Sequence, residues 1–97
     1  MIRASIYKDI PAIRLLIESE LGFWQKSWRE DVLERGIDSA DSLAFVSEEG
    51  DEILGSICAH DLGFRGYISE LVVAEKVSGK EIGKTLVELV QDRLAYG

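Results

Sequence analysis

The sequence predicts a mixed α/β (α+β) fold in the order βααβββα, with a mostly antiparallel sheet covered by helices. Three observations predict it. Apolar residues recur at helical spacing in three stretches. Three short apolar runs follow one another in the middle of the chain, and the joints between them carry turn residues. No repeat, low-complexity tract or linker interrupts the 97 residues, which leaves room for one small domain.

Ile2 to Ile6 reads as the first strand. Asp9 and Pro11 mark a helix start, since proline is tolerated in a first turn. Ile10, Ile13, Leu16, Ile17 and Leu21 then repeat at helical spacing, and Gly22 is a stop. Ser27-Trp28-Arg29-Glu30 fits a capping box that opens a second helix with Trp28, Val32, Leu33 and Ile37 on one side. Ser42 to Glu48 is the second strand, Gly50-Asp51 a turn, and Ile53 to Ala59 the third strand. A loop from His60 to Gly66, with two glycines, leads to the strand Tyr67–Val73, so the three strands form an antiparallel meander. The last helix, from about Lys80 to Tyr96, buries Ile82, Leu86, Leu89, Val90 and Leu94.

Composition bounds the function. A hydrophobic share of 46% and a charged share of 30% are those of a soluble globular protein. A chain this short buries only roughly 60–65% of its unfolded surface, so its stability margin is thin. The net charge of -7 argues against nucleic acid, which demands a basic footprint. The single cysteine, Cys58, cannot form an internal disulfide, and the single histidine, His60, offers no cluster for a metal and no parts for a Ser-His-Asp triad. The opening MIRASIYKD lacks the apolar core of a signal peptide and no apolar run approaches the roughly 20 residues of a membrane span, so a cytoplasmic protein is expected.

The stretch from Leu71 to Thr85, LVVAEKVSGKEIGKT, carries the functional signal. An apolar strand ends at Val73, a polar glycine-containing loop follows, and Ile82-Gly83 opens a periodic helix. The free N–H groups and positive dipole end of such a helix suit an anionic cofactor. Glu81 conflicts with that, because a phosphate binder wants no negative charge in the loop.

The element order, with IRASIYKDIPAIRLLIESE, SLAFVSEEGDEILGSICAHD and ISELVVAEKVSGKEIGKTLVELV, resembles the GNAT superfamily of acyl-CoA-dependent N-acyltransferases over essentially the whole chain. The last segment is the specific one. It looks like the acetyl-CoA motif, in which Arg or Gln is followed by two residues, Gly, one residue and Gly or Ala. Aligned on Gly83, Ser78 stands where the basic or amide side chain belongs and Glu81 where the first glycine belongs, while Gly79 and Gly83 fit. The common proline before the loop is replaced by Glu75.

The resemblance implies an N-acetyltransferase that uses acetyl-CoA and takes a small-molecule or peptide amine. Leu71, Val72 and Val73 would hold the pantetheine arm through their backbone, and Ser78, Gly79, Lys80, Glu81, Ile82, Gly83, Lys84 and Thr85 would surround the pyrophosphate. Glu70 matches a strand carboxylate that relatives use as a base; the plainer reading is a strand glutamate on a solvated face. In the family, a further strand, helix and strands follow this helix, and a tyrosine there protonates the departing thiolate. The chain therefore reads as a domain over residues 1–97 without those parts, and Tyr96, on the wrong helix, does not take that role.

Other residues leave two readings each. Ser78-x-x-Glu81 is also a capping-box signature, in which the helix wears its own carboxylate where the cofactor's phosphate belongs. His60 and Asp61 either relay a proton or are solvated turn residues. Phe23, Trp24 and Trp28 either shape an acceptor pocket or pack the helices, and Cys58 reads as core. The strand Tyr67–Val73, without its usual neighbour, leaves an edge of unpaired groups that predicts a homo-oligomer. Two functions stand: acetyl transfer to an amine, or a non-catalytic GNAT remnant acting as an oligomerising binding module.

Overall fold

The computed structural model describes residues 1–21, 32–40, 43–63, 66–77 and 81–94. Strand β1 (Ile2–Ala4) leads through one 3₁₀ turn (Tyr7–Asp9) into helix α1 (Ile10–Leu21). Helix α2 (Val32–Ala40) follows, then strands β2 (Ala44–Glu49), β3 (Glu52–Asp61) and β4 (Gly66–Val73). A second 3₁₀ turn (Glu75–Val77) precedes helix α3 (Ile82–Leu94). The order is βααβββα, as the sequence predicts. Gly22, Phe23, Trp24 and the Ser27–Glu30 capping box lie outside the described residues, as do Ser78, Gly79, Lys80 and Tyr96.

The sheet runs β1-β2-β3-β4 with every neighbouring pair antiparallel. Among the described residues β1 and β4 are its edges. Of the boundaries that differ from expectation, two have a clear local reason. β1 stops at Ala4, because the Ile6 N–H turns away to the Asp9 carboxylate at 2.9 Å. β3 does not end at Ala59. It continues through His60 and Asp61, which pair with Tyr67 and Gly66, so the predicted loop is largely strand.

Helices cover both faces. On one face, Ile13, Leu16 and Ile17 of α1 pack with Val46, Leu54, Val72 and Ala74, which is the buried side of the helical repeat read from the sequence. On the other, Leu86 and Val90 of α3 are fully buried against Phe45, Ile57 and Ala59, with Ile82, Leu89 and Leu94 half-buried beside them. Each such side chain contributes roughly 1.5–3 kcal/mol on burial. Gly55 permits the α3 contact: a Cβ there would meet Ile82 Cγ2 at 3.0 Å and Leu86 Cδ1 at 3.2 Å. Arg93, in the last turn of α3, lies over the Phe45 ring at 5.7 Å. No described helix is long and apolar enough to cross a membrane.

The N-terminal strand is tied down by ions. Arg3 donates two hydrogen bonds to Asp9, at 2.9 and 2.8 Å, and a third to Glu48 at 3.1 Å. Asp9 is only 6% exposed. The Arg3 guanidinium holds its carboxyl below the usual range, with the Ile6 N–H assisting.

Candidate functional site

Strand alternation fails at one place in β4. Along the strand, Leu71 pairs with Ile57 and Glu70 with Cys58, but Ala59 pairs with Ile68, so Ser69 is an inserted residue. The register places Ile68 and Leu71 on the α3 face despite their odd spacing, and Glu70 and Tyr67 on the α1–α2 face. Such a bulge bends a strand and re-aims its side chains.

The bulge opens onto a cavity of about 570 Å³ between the sheet and helices α1 and α2. Its polar wall includes Ser56, Cys58 and His60 of β3 and Ser69 and Glu70 of β4, with Ser5 and, from α2, Arg35 and Ser39. Its apolar wall includes Ile13, Ile17, Leu33 and Ile37. Burial pushes the Glu70 carboxyl above its ordinary range, while a hydrogen bond with Ser56 opposes the shift. Glu70 Oε1 is buried and has no hydrogen-bond partner among the described residues. The solvated-face reading of Glu70 is thereby corrected: it lies two residues before the buried Val72, in unbroken register, and so on the face that the helices cover.

His60 is 6% exposed, not a solvated loop residue. Its Nε2 lies 2.6 Å from Ser69 Oγ, and its ring stacks on Tyr67 with centroids 4.8 Å apart. His60 Nδ1 is buried and, like Glu70 Oε1, has no partner among the described residues. Asp61 lies on the surface and accepts the Gly63 N–H at 2.7 Å, a turn role. Cys58 is core, as its sequence setting suggests; its thiol donates to the Gly36 carbonyl at 3.2 Å and is pushed up to about 11, mainly by burial. It is no nucleophile at neutral pH.

The cofactor segment is described in two pieces. Val72 is buried, Val73 half-buried and Leu71 45% exposed, at the outer edge of the sheet. Glu81 stands just before α3, and its carbonyl accepts the Thr85 N–H and hydroxyl, both at 2.9 Å. Ile82 packs into the core, and Lys84 is exposed with Glu88 at 3.9 Å. A Cβ at Gly83 would touch Val73 Cγ2 at 3.5 Å, so the end of β4 and the first turn of α3 adjoin.

Glu81 has φ of 64°, the left-handed region that glycine favours. The capping-box reading of this glutamate is therefore corrected. That box needs Glu81 at the third helical position, and the helix begins only at Ile82. The backbone here takes a glycine's conformation with a glutamate in it.

The sequence reading missed Ser56, Ser69 and the buried state of His60. A signal was present: Ser69-Glu70 puts two adjacent polar residues between Ile68 and Leu71, which a strand with strict alternation cannot serve.

The acetyltransferase (GNAT) family model matches residues 10–95. No curated protein matches the chain by sequence. Among solved structures, Ard1 from Thermoplasma volcanium superposes with a TM-score of 0.79 at 15% identity, covering 97% of this chain and 65% of that one. N-acetylglutamate synthase from Neisseria gonorrhoeae, complexed with coenzyme A and N-acetyl-glutamate, gives 0.76 at 23% identity, covering 97% and 22%. Chaetomium thermophilum Naa20, in complex with a bisubstrate analogue, gives 0.77 at 16%, covering 97% and 55%. These likenesses concern the fold, and the chain spans less than two thirds of each of these structures' length.

Proposed function

The chain belongs to the GNAT acetyltransferase family, and from that premise we propose that it transfers an acetyl group from acetyl-CoA to an amine. The observation that carries the reading is Glu70: a carboxyl with a raised pKa and an open oxygen, lining a cavity beside the strand that adjoins α3. A base whose pKa is moved toward the working pH is the more effective proton acceptor.

The chain's own features fit the cofactor at three points. Among the described residues the outer edge of β4 has no strand beside it, which leaves backbone groups for the pantetheine amides. The first N–H groups of α3 have no partner within the helix, as suits a pyrophosphate. The small Gly83 keeps strand and helix close. Glu81 is the point of misfit, since its charge opposes a phosphate. Acetyl-CoA supplies the activated thioester. Glu70 would accept a proton from the substrate ammonium, Ser56 would hold its carboxyl in place, and the apolar wall would exclude water. Lys84 would offset part of the Glu81 charge.

The test is direct. Millimolar acetyl-CoA should raise the melting temperature, because a ligand of the native state stabilises it. With a primary amine present, free thiol should then appear at a rate that depends on Glu70. No thermal shift and no thiol release across a panel of amines would overturn the proposal. Tyr67, Ile68 and Leu71, all exposed, also support pairing of this edge with a second copy of the chain. Sedimentation showing only monomer at micromolar concentration would sink that part.

A further inference from the structure

Two buried side-chain atoms without partners among the described residues belong to residues that line the same cavity from different strands, Glu70 Oε1 and His60 Nδ1. Glu70 has one carboxylate oxygen engaged by Ser56 and Oε1 open. For His60 the tautomer turns on where the Ser69 hydroxyl sends its one hydrogen. The Ser69 hydroxyl donates to the Cys58 carbonyl at 3.3 Å, which uses its only hydrogen. With that donation made, Ser69 Oγ, 2.6 Å from His60 Nε2, accepts, and this is the arrangement in which Nε2 carries the proton. The Cys58 thiol, spent on Gly36, sits 3.9 Å from the same nitrogen and does not compete as a donor. In that tautomer Nδ1 is the bare lone pair, buried and unpaired among the described residues. An orphan buried acceptor is costly unless a ligand donates to it.

We infer that Glu70 and His60 together seat the ammonium or amine group of a primary amine with an apolar body, and that Ser69 fixes the His60 tautomer for this task. The amine has three N–H donors at most in need of partners, and Glu70 Oε1 and His60 Nδ1 supply two acceptors. The rest of the cavity specifies the body. Ile13, Ile17, Leu33 and Ile37 offer packing, and Arg35, which also lines the cavity, is a cation, so a benzyl- or alkyl-like group is favoured over a second ammonium. The net charge of -7 draws cations toward the protein. The inference rests on the cavity being the acceptor site of the proposed transferase, and it is tested without acetyl-CoA.

His60 is the only histidine, so its ring nitrogens give unambiguous ¹⁵N resonances. Phenethylamine is the probe, with 2-phenylethanol as the isosteric control and butane-1,4-diamine as the polar-bodied one. Saturating phenethylamine should move the Nδ1 resonance, and both controls should bind about tenfold more weakly or worse. His60→Asn keeps an acceptor in the place of Nδ1 and should hold phenethylamine affinity within about threefold. His60→Gln keeps one only in the place of Nε2 and should lose about tenfold. Ser69→Ala should mix the two tautomers in the free protein.

An Nδ1 resonance indifferent to saturating phenethylamine in the wild type, or 2-phenylethanol binding as tightly as the amine, would overturn the seat whatever the variants do. Amine binding at His60 with no acetyl transfer would leave the seat standing and remove the transferase reading. Transfer without any response at His60 would do the reverse.

Discussion

Asp9 and Glu70 both have carboxyl oxygens taken from water, and their surroundings treat them in opposite ways. Asp9, at the entry to α1, accepts two hydrogen bonds from Arg3 and one from the Ile6 N–H, and its pKa is lowered. Glu70, beside the β4 bulge, has Ser56 on one side, an Oε1 without a partner among the described residues on the other, and a raised pKa. The first environment is complete with ionised carboxylate in it. The second is complete only when something else arrives. The contrast teaches that burial alone does not mark a functional acid; burial with an unfilled hydrogen-bond requirement does.

The largest effect that separates the two is on stability. Asp9→Asn should cost about 3 kcal/mol, because Arg3 keeps its charge and loses its bidentate partner; the figure is at the low end for a broken pair since Arg3 is partly exposed. In a domain of this size that lowers the melting temperature by roughly 12–24 °C. Acetyl transfer per folded molecule should stay within about twofold. A melting temperature within about 3 °C of wild type would mean that the Arg3–Asp9 pair is not what holds β1 to α1.

Glu70→Gln should do the converse. It removes the proton acceptor and should lower kcat/KM for an amine by about a hundredfold, the lower range for loss of a general base. The fold should be unharmed or slightly firmer, because a neutral amide costs less to bury than a carboxylate. Rate and melting measured on the same preparations make the comparison. An unchanged rate would return Glu70 to the status of an incidental strand residue.

pH sharpens the same contrast without a large energy. The Asp9 pKa lies below its ordinary 3.8, so its contribution to stability is fully present above that value and lost as pH falls through the folded pKa. The Glu70 pKa lies above its ordinary 4.5, so its contribution is fully present below that value and lost as pH rises through the folded pKa. Melting curves between about pH 3 and 8 should therefore show a flatter acid limb in Asp9→Asn and a flatter neutral limb in Glu70→Gln. Parallel curves for all three proteins would undo the assignment of opposite shifts.

What was legible in the sequence follows from which forces are local. The periodicity of Ile13, Leu16 and Ile17, and of Leu86 and Val90, gave helices whose buried faces are those expected. The meander was legible because Gly50 and the glycines near 63 to 66 punctuate apolar runs. The site was legible only as single residues. Glu70 was a candidate, but its pairing with Cys58, the insertion of Ser69 and the approach of His60 are cross-strand facts set by register. A bulge shifts every side chain beyond it, and only the adjacent polar pair Ser69-Glu70 hinted at one. Asp9 looked like a helix-entry residue, and its partner Arg3, on β1, comes from the fold rather than from a motif.

A third carboxylate gives the smallest and most informative test. Glu81 is exposed, so neither pairing nor burial explains it; what sets it apart is a left-handed backbone, φ 64°, at the entry to α3. A non-glycine residue there costs about 1 kcal/mol, part of which glycine returns through its larger unfolded-state entropy. Glu81→Gly should thus stabilise the chain by about 0.5 kcal/mol in denaturant titration. If the start of α3 receives the cofactor's phosphates, it should also tighten acetyl-CoA by about tenfold, because a like charge leaves the site. Glu81→Ala separates the two causes: it removes the charge but keeps the strain, so it should tighten acetyl-CoA without stabilising the fold. If instead both variants change stability and neither changes affinity, the left-handed residue is a feature of the turn alone, and the cofactor must be sought away from this helix.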